Sequence, residues 1–222
     1  METVGKTVDM RKFVIQQQIV NFGGTSVIKE PWPHLLVDDF FTPGEFKFLY
    51  EESKKMVEDI QPDEKIILQD FWKWKRKRPS DKRTVTEKRE KTAKSEKYLN
   101  HFTKKYTPIC MKYLDQLAPH KMMLFDRFST KLQATGGDEE KSSHSLHTDP
   151  EDKLLTIVVY VYPEHHVGTS IGTRESTSPV EWKQNRALIF TREDYTWHNY
   201  PTLGHGPRVT YNVHVYGKRN EV

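Results

Sequence analysis

Apolar and polar positions alternate most clearly at the C-terminal end of the chain. In Arg208–Tyr216, Val209, Tyr211, Val213 and Val215 fall on one face and Arg208, Thr210, Asn212 and His214 on the other. That period of two predicts a strand with an apolar back and a polar front. Leu154–Tyr162 is a nearly continuous apolar run, the pattern of a strand buried on both faces. Shorter strands are expected at Arg186–Phe190, at His34–Phe40 and at Met10–Val20, the last ended by Gly23-Gly24. Met122–Thr135 reads as one long strand closed by Gly136-Gly137, followed by a polar loop over Asp138–Ser143. Pro163 and the stretch Gly168–Gly172 mark turns.

Helical spacing occurs in two places. Phe46, Leu49, Tyr50 and Val57 recur at three and four positions, behind Thr42-Pro43-Gly44-Glu45. There Thr42 is a cap, Pro43 takes the first helical position, and Glu45 stands where a capping box needs an acid. Tyr98, Leu99, Phe102, Tyr106, Ile109, Tyr113, Leu114 and Leu117 form a second stripe. Pro108 kinks that helix or restarts it with Thr107 as cap. Both stripes read as core packed on a sheet. Helices first and short strands after, with no regular strand–helix alternation, argue against a doubly wound fold and for two sheets closing as a jelly roll. A single domain over 1–222 is expected, with a catalytic core at 122–217 and no internal repeat.

Composition alters this picture in one segment. Residues 71–105 hold 14 Lys and Arg against 4 Asp and Glu, a net of +10, while the whole chain is +4. Trp72 and Trp74 are interleaved with Lys73, Lys75, Arg76, Lys77 and Arg78. Three readings stay open: a solvated loop running into a charged helix face, a flap for nucleic acid or another polyanion, and a lid over a site. The solvated loop is the plainest, and nucleic acid is a partner not favoured over it. The lone Cys110 excludes an internal disulfide and reads as a small buried group. No run is apolar enough to span a membrane, and the N-terminus has no signal-peptide core. A cytoplasmic protein without a membrane partner is expected.

The candidate chemistry lies in Leu146-His147-Thr148-Asp149-Pro150. In an extended segment His147 and Asp149 share a face. One imidazole and one carboxylate make two thirds of the facial triad that holds non-heme Fe(II). His198, 51 positions on, supplies a second imidazole, and Arg208 follows ten positions later. An arginine fork suits a carboxylate, and Thr210 on the same face could assist it.

This ordered set resembles the Fe(II)/2-oxoglutarate-dependent oxygenases, in their prolyl-4-hydroxylase-like branch. The resemblance covers Leu124–Tyr216 and, more weakly, Pro31–Phe41. It implies a mainly β, cupin-like double-stranded β-helix buttressed by two or three N-terminal helices. It also implies an oxidoreductase acting as a dioxygenase, with His147, Asp149 and His198 on the metal and no protein side chain as acid or base. Arg208 would hold the distal carboxylate of 2-oxoglutarate, with Thr210, Tyr160 and Gln133 as further cosubstrate contacts. The stretch Lys131–Gly136 has no tyrosine where relatives place one. The cofactors implied are Fe(II), 2-oxoglutarate and O2, with room for ascorbate. The reaction implied is hydroxylation of a prolyl or other amino-acid residue in a peptide, or of a small molecule, as 2-oxoglutarate is decarboxylated to succinate. Trp182, Trp197 and Tyr195 are candidates for the substrate side, and His214 for lining the pocket without binding metal. The competing classes are a non-catalytic jelly-roll binding module and a nucleic-acid-binding protein acting through 71–105.

Overall fold

The long alternating strand at the C-terminus pairs along its whole length on one side and over Val209–Tyr216 on the other, and organises the fold. In a computed structural model of the chain, the residues described are 26–58, 64–69, 72–77, 85–91, 93–125, 127–137, 144–200 and 206–218. The expected strand at Met10–Val20 and its Gly23-Gly24 stop lie outside the described residues, as does the loop at Asp138–Ser143.

In chain order the elements are β1 (His34–Val37), α1 (Pro43–Glu58), β2 (Glu64–Gln69), β3 (Trp72–Lys77) and β4 (Val85–Lys91). Then come α2 (Ala93–Leu117), α3 (Pro119–Leu124), β5 (Arg127–Gly137), β6 (His144–His147) and β7 (Lys153–Tyr162). The last five are β8 (Ser170–Gly172), β9 (Thr177–Pro179), β10 (Ala187–Thr191), β11 (Trp197–Tyr200) and β12 (Arg208–Lys218). They form an eight-stranded sheet, in the order β1-β10-β7-β12-β5-β2-β3-β4, and a four-stranded sheet, in the order β6-β11-β8-β9. Every pairing is antiparallel. The expected jelly roll is therefore present.

The period of two separates two cores. The outward face of the large sheet buries Ile157, Val159 and Val161 of β7 with Val209, Tyr211, Val213 and Val215 of β12. Against it pack Leu49 of α1 and Phe102, Tyr106, Ile109, Cys110 and Leu114 of α2. The inward face carries a smaller core of Val158, Tyr160, Leu188 and Phe190, closed by Trp32, Ile171 and Val180. Trp32 donates its indole N–H to Gly172 O at 2.9 Å and so ties the approach to β1 to the small sheet.

The expected cap of α1 forms. The Glu45 carboxylate accepts from the Thr42 backbone N–H at 3.0 Å, and Phe46 N–H makes the first helical bond to Thr42 O. Glu45 also receives His101, Lys105 and Tyr106 of α2, at 2.7, 2.8 and 2.7 Å, so one carboxylate joins both helices.

Four local expectations are corrected. Met122–Thr135 is not one strand: α3 takes Pro119–Leu124, and β5 begins at Arg127. Pro119 at the first helical position starts the turn, and Met122-Met123-Leu124 has no β-branched residue to favour a strand. The helix α2 runs through Pro108 without a restart, and the Thr107 hydroxyl is buried with no hydrogen-bond partner, so it caps nothing. The Gly168–Gly172 stretch contains strand β8, and β9 follows it. Finally, the described part of 71–105 is not a loop leading into a helix. Strands β3 and β4 extend the large sheet before α2 begins.

Candidate functional site

His147 ends β6 and His198 lies on β11, where the two are register partners across the pair. Their rings stand 4.4 Å apart. Asp149 follows two residues after His147, just past the strand end, and is buried. One ligand atom from each of the three residues falls within 4.8 Å of the other two.

Local backbone sets the orientation of both imidazoles. His147 Nδ1 lies 2.7 Å from Ser145 O, and His198 Nδ1 lies 3.0 Å from Thr196 O. A carbonyl only accepts, so each Nδ1 carries the proton and each Nε2 is the basic nitrogen. Burial lowers the pKa of His198, more than the Asp149 charge raises it, which keeps the ring neutral. Burial of Asp149 would raise its pKa, but the charge of Lys153 and hydrogen bonds from Lys153 and Thr156 lower it overall. Lys153 Nζ donates to one carboxylate oxygen at 2.6 Å and Thr156 Oγ1 to the other at 2.6 Å. Two imidazoles that present Nε2 and an ionised carboxylate, brought together here, match the donor set of a facial triad.

The inward face of β7 and β12 forms the adjoining wall. Arg208 is buried, and its guanidinium lies 3.1 Å from the ring centre of Tyr200 and 5.8 Å from that of Trp182. It donates to Val167 O at 2.9 Å. Among the described residues no carboxylate pairs with it. Burial lowers its pKa to about 10, so it remains charged near neutral pH. A buried cation without an anion is costly, and such charges are normally paired. Tyr200 lies two residues beyond His198 on β11, and both are buried, so the wall that holds Arg208 continues the strand that presents His198.

Tyr160 is fully buried and stacked on Trp182 with ring centres 4.7 Å apart. Its hydroxyl accepts the Thr169 N–H at 3.0 Å, which leaves its own proton to donate. Thr210 is buried and is the register partner of Tyr160. Gln133 occupies the position on β5 opposite Asn212, on the same sheet face as Arg208 and Thr210. His214 approaches Thr156 Oγ1 through Nδ1 at 3.3 Å, so it borders the triad without joining the cluster. Trp182 belongs to the Arg208 wall, whereas Tyr195 is exposed and Trp197 is half-buried beneath Arg174. Thr156, Lys153, Tyr200 and Val167 were not singled out from the sequence. Thr156 had a signal, the one threonine in an apolar strand; the Val167 carbonyl had none.

No family model and no curated protein matches the sequence. Solved structures do match. A prolyl hydroxylase from Trichoplax adhaerens, in complex with a hypoxia inducible factor oxygen degradation domain peptide fragment, is 10% identical over 83% of each chain, with a TM-score of 0.53. An oxidoreductase of the 2OG-Fe(II) oxygenase family from Burkholderia pseudomallei is 11% identical over 85% of this chain and 88% of its own, at 0.51. A Pseudomonas putida prolyl-4-hydroxylase is 10% identical over 82% and 91%, at 0.50. The chain shares the fold of these proteins.

Proposed function

We propose that the chain is an Fe(II)- and 2-oxoglutarate-dependent dioxygenase. The observation that carries this reading is the pairing of two features on one wall: a convergent His147–Asp149–His198 set and a buried Arg208 that has no carboxylate partner among the described residues. The first fits a ferrous ion and the second fits one end of a dicarboxylate.

On this reading His147 and His198 offer Nε2 and Asp149 a carboxylate oxygen. Thr156 and Lys153 fix the carboxylate, and the carbonyls of Ser145 and Thr196 fix the rings. Arg208 receives the distal carboxylate of 2-oxoglutarate in exchange for its aromatic surroundings. Tyr160 donates its remaining proton to the same group, and Thr210 and Gln133 complete the wall. Trp182, Phe190 and Trp32 exclude water. When bound, the metal and cosubstrate supply oxygen activation coupled to decarboxylation of the diacid to succinate. No side chain of this chain is needed as acid or base. One structural neighbour holds a peptide, and this supports a prolyl or other amino-acid residue in a peptide as acceptor, with a small molecule as the second class.

The test is anaerobic absorbance. Fe(II) and then 2-oxoglutarate are added to the purified protein and to His147→Ala. A weak visible band from chelated 2-oxoglutarate is expected with the intact protein alone. A protein that forms no band and binds no 2-oxoglutarate is not an oxygenase of this kind, and the fold would then serve as a binding module.

A further inference from the structure

Two cationic side chains near the cluster have no part in the chemistry above. Lys121 of α3 is buried, and Arg192, just past the end of β10, is half-buried. A buried ammonium is costly unless it is paired. Lys121 Nζ pairs with the Glu193 carboxylate at 2.9 Å and donates to Arg192 O. Both contacts fall on one turn, 192–196, which joins β10 to β11.

That turn is closed on itself. Thr196 is buried, and its hydroxyl donates to Glu193 O at 2.9 Å and accepts the Glu193 N–H at 3.0 Å. The Thr196 N–H also donates to Glu193 O, at 3.2 Å. From this rigid unit two contacts reach the cluster. Thr196 O receives His198 Nδ1 at 3.0 Å. Arg192 Nε donates to Asp149 O at 3.1 Å, across 43 positions. The backbone N–H of Arg192 is itself held by Leu154 O at 3.3 Å, which anchors the turn to β7.

Asp149 has need of such a support. It lies between β6 and β7 and belongs to no strand, so no ladder fixes its carbonyl. Pro150 restricts the Asp149 backbone to extended conformations but has no N–H to offer. Lys153 and Thr156, which hold the carboxylate, both belong to β7. Arg192 relates Asp149 instead to the strand that presents His198, whose Nε2 lies 4.0 Å from Asp149 Oδ1. The guanidinium also pairs with Asp194 at 2.7 Å, but the Asp194 side chain is 88% exposed, and a pair of this kind contributes little. The bond from Nε is therefore the one with a consequence for the site.

We infer that Arg192 is a positioning residue: with the 192–196 turn it sets Asp149 against His198 and so sets the affinity of the cluster for a divalent ion. The inference rests on the metal reading of the cluster and is independent of 2-oxoglutarate.

The experiment titrates Co(II) into the full chain without cosubstrate and follows the visible band of the bound ion. Arg192→Met keeps the apolar stem and removes the donor. It should bind Co(II) about 10–100-fold more weakly than the parent, the usual cost of losing a partner behind a metal ligand, and its band at saturation should differ in position or intensity. Arg192→Lys keeps a donor and should bind within about threefold of the parent with the parent's band. This rescue guards against misreading a misfolded Met variant. Two results would overturn the inference alone: an Arg192→Met protein with the parent's affinity and band, or an Arg192→Lys protein as weak as Arg192→Met, which would assign the side chain to packing. A parent that binds no Co(II) would overturn the metal reading together with it.

Discussion

Arg208, proposed above to hold 2-oxoglutarate, shows how such a residue can oppose the stability of its own fold. Its charge is buried against Tyr200 and Trp182, with the Val167 carbonyl as its acceptor among the described residues, so the apo protein bears a desolvation cost. Replacing it with an apolar side chain of similar length removes that cost. Arg208→Met is therefore expected to leave the apo thermal midpoint unchanged or higher. The same change should weaken 2-oxoglutarate binding by about a hundredfold or more, the size of a lost buried charge pair. Calorimetry of the apo protein and titration of the cosubstrate separate the two effects. A lower midpoint together with intact binding would show that Arg208 serves packing. Gly168 has a comparable constraint from shape: a Cβ there would lie 2.1 Å from Val180 O and 3.0 Å from the Tyr160 hydroxyl. Gly168→Ala should cost about 1–3 kcal/mol in unfolding free energy, and should also weaken the cosubstrate because the Tyr160 hydroxyl is displaced. A variant with the parent's midpoint would mean that the loop between β7 and β8 yields freely.

At the scale of elements, legibility followed periodicity. Strand β12 was readable because its alternation is long, and β7 because its unbroken apolar run suits burial on both faces. The cap of α1 was readable because Thr42 and Glu45 meet through local geometry alone. Strands β3 and β4 were not, since charged residues make up most of both and neither shows a plain apolar period; β3 is held by pairing with β2, and β4 by pairing with β3. The Met122–Leu124 run misled because apolar content does not distinguish a short helix from a strand. In the site, ligand types and order were visible, because metal chemistry restricts them to few residues. The supports were less so. Lys153 and Thr156 reach Asp149 through the turn into β7, and the Val167 carbonyl reaches Arg208 across 41 positions.

For the whole molecule, the joint between helices and sheet predicts a response to acid. Burial alone would raise the pKa of Glu45, but hydrogen bonds from Lys105, Thr42, Tyr106 and His101 outweigh it and hold the carboxyl at about 2. The ordinary value is 4.5, so this group contributes stability that is complete above pH 4.5 and is lost as pH falls through the window toward 2. The thermal midpoint of the parent should drop across that window more steeply than that of Glu45→Gln, which has no proton to take up. Parallel curves would show that other carboxylates govern acid unfolding.

The two imidazoles of the cluster are aimed by backbone carbonyls two residues behind them, before any ion arrives. On the oxygenase reading, a site so preset gives up little conformational freedom on loading, and it also has little means of rejecting a competitor. Among divalent ions, cobalt, nickel, copper and zinc all bind such nitrogen and oxygen donors more tightly than ferrous iron. The identity of the resident metal then reflects supply in the surroundings rather than choice by the protein, and zinc or copper contamination would inactivate the enzyme without unfolding it.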